Sequence, residues 1–200
     1  MKFLFSLIIA LIIIANPLKA LSDEVVLAGG CFWCLEHDLE YLEGVNSVDS
    51  GYSGGDLDNP TYNNPAGHQE VVLVDFDPKL VNLDEILRLY LRNIDPLDGK
   101  GQFCDRGDSY RPVIFFEDSI GEDKSNDALL SASKELNTTL KNIEVEIKPR
   151  SKFWMAEDYH QDYAVNNELK YKFYRFSCGR DKRLDQLWGV NSRTTNTWSE

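Results

Sequence analysis

From residue 21 onward the chain alternates between short apolar runs and apolar stripes of helical period. Val25-Val26-Leu27-Ala28 is a strand-like run. After Gly29-Gly30, apolar residues at 35, 39 and 42 predict a helix over Cys31–Glu43, ended at Gly44. Val45–Ser53 alternates enough for a strand and leads into a loop rich in Gly, Asp, Asn and Pro, from Gly54 to Gly67. Glu70–Phe76 is a second β-rich run, stopped at Asp77-Pro78. Asn82 or Asp84 is placed to cap a helix through Arg92 whose stripe is Ile86, Leu87, Tyr90 and Leu91. Arg111–Phe116 reads as a strand despite Pro112, Ser119–Leu140 as a helix, and Ile143–Lys148 as a strand near a sheet edge.

The order β-α-β-β-α-β, then α-β, predicts an α+β fold: a ferredoxin-like βαββαβ sandwich core with an additional helix-strand. The tail from Lys152 to Trp188 carries Trp154, Tyr159, Tyr163, Tyr171, Phe173, Tyr174 and Phe176. Aromatic side chains are burial groups first, so this tail is expected to be a long C-terminal wrap packed on the core. Residues 21–200 suit a single catalytic domain, with no internal repeat or low-complexity stretch.

Residues 1–20 read differently. Lys2 is followed by an almost unbroken apolar run, Phe3 to Ala15, then by Asn16-Pro17 and a cleavable Ala20. A bilayer span needs roughly twenty residues, so a secretory signal is preferred to a membrane anchor. The protein is then exported, to a periplasm or the exterior. Without Lys2 and Lys19 the remainder holds 19 basic against 33 acidic residues, a net charge of −14. Such a chain is a poor partner for nucleic acid or an anionic membrane.

Four cysteines, Cys31, Cys34, Cys104 and Cys178, lie beyond that leader. In an exported chain the plain reading is two structural disulfides, giving a disulfide-stapled binding domain. The surroundings of Cys31 argue otherwise. It follows two glycines at a strand-to-helix turn, where the helix dipole and free N–H groups favour a thiolate, and Phe32 and Trp33 wall it in. The Cys31-x-x-Cys34 spacing admits three chemistries. A c-type haem would need a histidine where Leu35 stands, and zinc could recruit His37 but finds no second ligand pair. A dithiol redox site needs only the two thiols present, so an exported thiol–disulfide oxidoreductase is one candidate.

Further along, Asn59-Pro60-Thr61-Tyr62 is a turn ending in a phenol, and Asp105 to Tyr110 is another. Glu70 opens the run Val71–Val74, where a partly desolvated carboxyl would have a raised pKa suited to a general acid; an exposed strand end is the plainer reading. His68 and His160 need be no more than hydrogen-bonded structural residues.

The strings GCFWC, GYSGG, NPTYNN, GHQEVVLVDFDP, YRPVIFF and YHQDY occur in one order over roughly residues 24 to 190. Together they resemble the peptide methionine-(S)-sulfoxide reductase family. The resemblance implies an enzyme that reduces the S epimer of methionine sulfoxide, free or in proteins, and so repairs oxidised proteins. Cys31 matches its nucleophile, and Phe32 and Trp33 the aromatics cradling the substrate methyl. Tyr62 and Tyr110 match the phenols holding the sulfoxide oxygen, Glu70 the acid that protonates it, and Asp105 a supporting carboxylate. It further implies a Cys31 sulfenic acid condensed to a disulfide by a second thiol. No cofactor and no metal are implied, only a thioredoxin-like dithiol donor, and a monomer is expected. The family places resolving thiols late in the chain, which selects Cys178, with Cys34 and Cys104 as alternatives.

Overall fold

The computed structural model describes residues 23–199; the expected leader of residues 1–20 lies outside the described residues. The first apolar run becomes β1 (Asp23–Ala28), whose Val25–Ala28 are all buried, as a strand paired on both edges and covered on both faces requires. Gly29 and Gly30 turn the chain into α1 (Phe32–Leu39), which is followed by β2 (Val45–Ser53) and, after the Gly/Asn-rich loop, by β3 (Gln69–Phe76). The next helix, α2 (Leu83–Leu91), starts where its cap predicts. Asn82 Oδ1 accepts from the Glu85 N–H at 3.1 Å while Glu85 Oε2 accepts from the Asn82 N–H at 3.1 Å, closing a capping box.

Two very short strands, β4 (Gly101–Gln102) and β5 (Asp105–Arg106), form a hairpin of their own. Then come β6 (Val113–Phe116), α3 (Ser119–Glu135), β7 (Glu146–Pro149) and β8 (Trp154–Met155). Three helices close the chain: α4 (Tyr163–Asn166), α5 (Glu168–Cys178) and α6 (Arg180–Trp188).

The main sheet runs β7-β6-β1-β3-β2-β8. All neighbours are antiparallel except β6 and β7, so this is an α+β fold on a mixed sheet. On one face, Leu27, Val72, Val74 and Ile114 pack with Leu35 and Leu39 of α1, Ile86, Leu87, Tyr90 and Leu91 of α2, and Leu129 and Ala132 of α3. On the other face Val26, Ala28, Val71, Val113 and Phe115 form a smaller cluster with Phe153. Register matters most for function. Ala28 pairs with Val71, so Glu70 stands one residue beyond the end of β1, level with the turn that carries Cys31.

Several element bounds differ from expectation. The helix expected over residues 31–43 ends at Leu39, and the chain re-enters the sheet after Gly44 at φ +96°. The helix expected to reach Leu140 stops at Glu135, because Asn137 takes φ +50° and folds the chain out of the helix. The edge strand expected from Ile143 pairs only from Glu146.

The aromatic tail is the larger correction. It is a helical layer, not a simple wrap: Tyr171 is buried and Tyr163 and Tyr174 pack on Trp33, but Tyr159, Phe173 and Phe176 face solvent. Gly179 at φ +70° ends α5 and begins α6 in one step. The layer is tied to α1 by Arg175, which donates to Asp38 at 2.7 and 2.9 Å, to Asp181 at 2.7 Å and to the Tyr171 hydroxyl at 2.8 Å. Among the described residues no helix is long and apolar enough to cross a membrane.

Candidate active site

Gly30 adopts φ +85°, and a β-carbon there would come within 2.6 Å of Gln102 Cβ, so the turn admits only glycine. It delivers Cys31 as the N-cap of α1 (φ −55°, ψ 119°), one position earlier than the first-turn placement expected. The Cys31 carbonyl accepts from the Cys34 N–H at 3.1 Å, which brings Cys34 onto the same side of the first turn. Both thiols are unbonded and buried.

Their electrostatics work against a resting thiolate on Cys31. Burial raises the Cys31 pKa well above that of a free thiol; the Cys34 sulfur and the Glu70 carboxyl add to the rise, and the neighbouring Tyr174 hydroxyl opposes it. Cys34 shifts down, chiefly through its hydrogen bond with Cys31 and with help from Arg180. Two adjoining sulfurs hold at most one negative charge between them. Burial thus works against a thiolate on Cys31, and the neighbouring Cys34 sulfur couples the two titrations.

Glu70 is buried, not an exposed strand end. Its Oε2 accepts the Phe32 N–H at 3.1 Å, so the carboxyl sits directly over the start of α1. Burial raises its pKa to about 8, helped by the charges of Asp105 and Cys34 and opposed by the Phe32 N–H and the Tyr110 hydroxyl. Glu70 is thus a protonated acid at neutral pH. Burial, first among causes, raises the pKa of both Tyr62 and Tyr110, so that both phenols remain donors.

On the other side of Cys31 the aromatic wall is braced. Trp33 stacks on Tyr163 with ring centroids 3.7 Å apart, and Phe32 lies 6.4 Å from Tyr62 in a stacked arrangement. Trp33 Nε1–H donates to His160 Nδ1 at 3.0 Å. That bond makes His160 Nδ1 an acceptor and the imidazole neutral, in keeping with a pKa lowered by burial. His68, by contrast, accepts the Gly55 N–H and donates to the Leu57 carbonyl at 2.9 Å, a purely structural role.

Asp105 reaches the site through Tyr174. The Tyr174 hydroxyl donates to Asp105 Oδ2 at 2.5 Å and also contacts Cys31. Burial raises the Asp105 pKa against the pull of Tyr174 and Arg180. Arg180 itself is buried, donates to the Asn93 carbonyl at 2.6 Å and lies over the Phe103 ring.

These groups enclose one small cavity of about 40 Å³. Cys31, Phe32, Trp33, Tyr62, Glu70, Asp105 and Tyr110 all line it, and so does Tyr174. The volume holds a few heavy atoms, on the scale of a methyl and its sulfinyl group. Two wider clefts of about 570 and 600 Å³ lie on other surfaces and contain none of these side chains.

The late-chain thiol expected to face Cys31 is engaged elsewhere. Cys178 forms a disulfide with Cys104, Cα–Cα 5.0 Å, because Phe103 at φ +55° turns the β4–β5 hairpin onto the C-terminal end of α5. Cys34, held as an alternative, is the thiol in contact with Cys31. Among the described residues, Cys104, Asp105 and Cys178 form the one group close enough to share an ion, but two of its three ligand atoms are spent in the disulfide. His37 instead contacts Glu40 and the Tyr171 ring.

The sequence model described as peptide methionine sulfoxide reductase matches residues 23–192. The chain belongs to this family. It is 45% identical over 175 residues to peptide methionine sulfoxide reductase MsrA 2 of Caulobacter vibrioides, covering 84% of this chain and 86% of that one. It is 44% identical over 176 residues to MsrA/MsrB of Vibrio cholerae, where the match covers 86% of this chain but 46% of the relative. Among solved structures, reduced Mxr1 from Saccharomyces cerevisiae superposes with a TM-score of 0.69 at 27% identity, covering 76% of this chain and 88% of that one.

Three residues of this reductase site were not singled out from sequence: Tyr174, Arg180 and His160 as the brace of Trp33. Tyr174 and Arg180 sit on helices that the aromatic tail conceals, since its apolar residues do not separate cleanly into a stripe. The YHQDY string carried a signal for His160, yet only the Trp33 contact reveals its function.

Proposed function

We propose that this protein reduces the S epimer of methionine sulfoxide, free or in peptides and proteins, to methionine, and that it thereby repairs oxidised proteins. The observation that carries the reading is the cavity in which a cysteine, a carboxylic acid with a pKa near 8 and two phenols converge beside Phe32 and Trp33. Sulfoxide sulfur becomes electrophilic when its oxygen is protonated, which Glu70 is placed to do while Tyr62 and Tyr110 hold that oxygen. Cys31 attacks the sulfur as its own S–H proton replaces the one Glu70 has given, the hydroxyl passes to Cys31, and methionine leaves as the thioether; the thiol has become a sulfenic acid. The methyl slot, the oxygen clamp and the direction of attack fix three substituents about a chiral sulfur, so one epimer fits.

The contact between Cys31 and Cys34 supports Cys34 as the resolving thiol. Its S–H condenses with the Cys31 sulfenic acid, forming the Cys31–Cys34 disulfide and water. A thioredoxin-like dithiol then returns both thiols by exchange and becomes a disulfide itself. Mxr1 has been solved in complex with Trx2, which favours a donor of that kind.

The β6-β1-β3-β2 order, with α1 and α2 as crossovers, supports reading the core as ferredoxin-like and residues 21–200 as one catalytic domain. The Lys2 and Phe3–Ala15 pattern supports export, with a donor outside the cytosol. The experiment is reduction of a racemic methionine sulfoxide peptide by purified protein with dithiothreitol. Conversion should stop at half, with only the S epimer consumed; equal loss of both epimers, or none, refutes the reading.

A further inference from the structure

The Cys104–Cys178 disulfide lies beside the reacting groups without touching the cavity. Its two ends flank one hydrogen bond. Cys104 immediately precedes Asp105, and Cys178 follows Tyr174 by one turn of α5, so the two residues project from the same side of that helix. The bonded sulfurs approach the two Asp105 carboxylate oxygens at 3.8 and 3.9 Å, and the Cys104 N–H donates to Cys178 Sγ at 3.1 Å. Between these neighbours runs the 2.5 Å bond from the Tyr174 hydroxyl to Asp105 Oδ2.

Each strand of the hairpin carrying Asp105 has only two residues, too few to hold a geometry alone. Buried Gln102 anchors β4, donating to the Asp95 carbonyl at 2.8 Å and accepting the Asp95 N–H at 2.7 Å. On β5, Arg106 pairs with Asp98 at the outer surface. Toward α5, the disulfide and the Tyr174–Asp105 bond are what join the hairpin to the helix. Tyr174 has a single proton to give. With that proton directed to Asp105, the Tyr174 oxygen is held beside Cys31 in the wall of the cavity.

We infer that the Cys104–Cys178 disulfide is a positioning element of the reducing site, holding Asp105 on Tyr174 and so Tyr174 on Cys31, and that neither of its sulfurs carries electrons in the cycle. The inference rests on the reductase reading above. It makes the rate of the first step, the formation of one methionine per enzyme, depend on a bond outside the cavity.

The test is the single-turnover burst of methionine in wild type, Cys104→Ser/Cys178→Ser, Tyr174→Phe and the combination of all three, each with a methionine sulfoxide peptide. Loss of the disulfide should slow the burst about tenfold, the size of coupling expected between contacting groups, with half-saturating substrate little changed. The triple variant should be no slower than Tyr174→Phe. After the burst, the double serine variant should continue to turn over with thioredoxin and show a Cys31–Cys34 disulfide on peptide mapping. A wild-type burst followed by a stall with thioredoxin would overturn the inference, since the sulfurs would then be electron carriers. Multiplicative losses in the triple variant would also overturn it.

Wild-type protein gives a second route that needs no variant to fold. Graded reduction yields species with the distal bond intact or open and with Cys31 free in both; equal bursts from the two refute a positioning role. Absence of methionine from wild type with that bond intact would strike the reductase reading instead.

Discussion

The two pairs of cysteines put similar sulfurs into contact and send them to opposite fates. Cys31 and Cys34 share one helical turn, are buried and remain thiols, whereas Cys104 and Cys178 are 74 residues apart, partly exposed and bonded. Proximity cannot be the difference, because both pairs touch. What differs is what lies in front of each. Cys31 opens onto a cavity with a protonated acid and two phenols, so an oxidant arriving there is a sulfoxide held for attack. Cys104 and Cys178 face the Asp105 carboxylate, which offers nothing to reduce. Reactivity thus follows the microenvironment and not the count or spacing of thiols.

The strongest way to break that contrast is Cys31→Ser. Cys31 is the one thiol lining the cavity, so turnover should vanish with every reductant, as read by methionine release. Activity in this variant would mean that another sulfur attacks. Next in size is the recycling step. Cys34→Ser should release one methionine per enzyme and then stall with a thioredoxin-like donor, while dithiothreitol, which can attack a sulfenic acid directly, restores turnover. Cys178→Ser should keep cycling with that donor. The reverse pattern in the two variants would exchange the roles of the pairs.

Glu70→Gln sharpens the contrast from the side of the acid. General acid catalysis contributes about 10²–10⁴-fold, and the variant should lose an amount in that range. Since burial raises the Glu70 pKa to about 8, the working proton is present at pH 7 and is lost as pH climbs through that value. Wild-type single-turnover rates should therefore fall above pH 8 on this account, and the glutamine variant should lack that step. A wild-type rate that rises steadily from pH 7 to 10 would show that ionisation of Cys31 governs the reaction instead.

Much of the front of the site was legible before any coordinates. β1, β2, β3 and α2 follow from apolar period and from a cap at Asn82, because those elements are bounded by Gly, Pro and Asn whose backbone preferences act locally. The GCFWC turn and Glu70 meet because register places Glu70 one residue past Ala28, and the resemblance named both. The back of the site was not legible for physical reasons. α5 is held by Arg175 ion pairs to Asp38 and Asp181 more than by an apolar stripe, so hydrophobic period says little about it. Four cysteines permit three complete pairings, and sequence spacing does not choose among them. The Cys104–Cys178 bond depends on the left-handed Phe103 and on where α5 ends, both tertiary outcomes.

The smallest effect concerns stability, and it separates the pairs without any substrate. A disulfide that closes a loop of some 74 residues removes conformational freedom from the unfolded chain, typically worth about 2–4 kcal/mol. A bond between Cys31 and Cys34 closes only a single turn and stabilises little by the same route. Wild-type protein unfolded in urea should therefore lose about 2–4 kcal/mol when dithiothreitol is added, through a lower midpoint. Cys34→Ser should retain this sensitivity to reductant, and Cys104→Ser/Cys178→Ser should lose it. If the reductant instead shifted the midpoint of the double serine variant and left wild type unmoved, the stabilising bond would lie in the helix-start pair, and the division of labour between the two pairs would collapse.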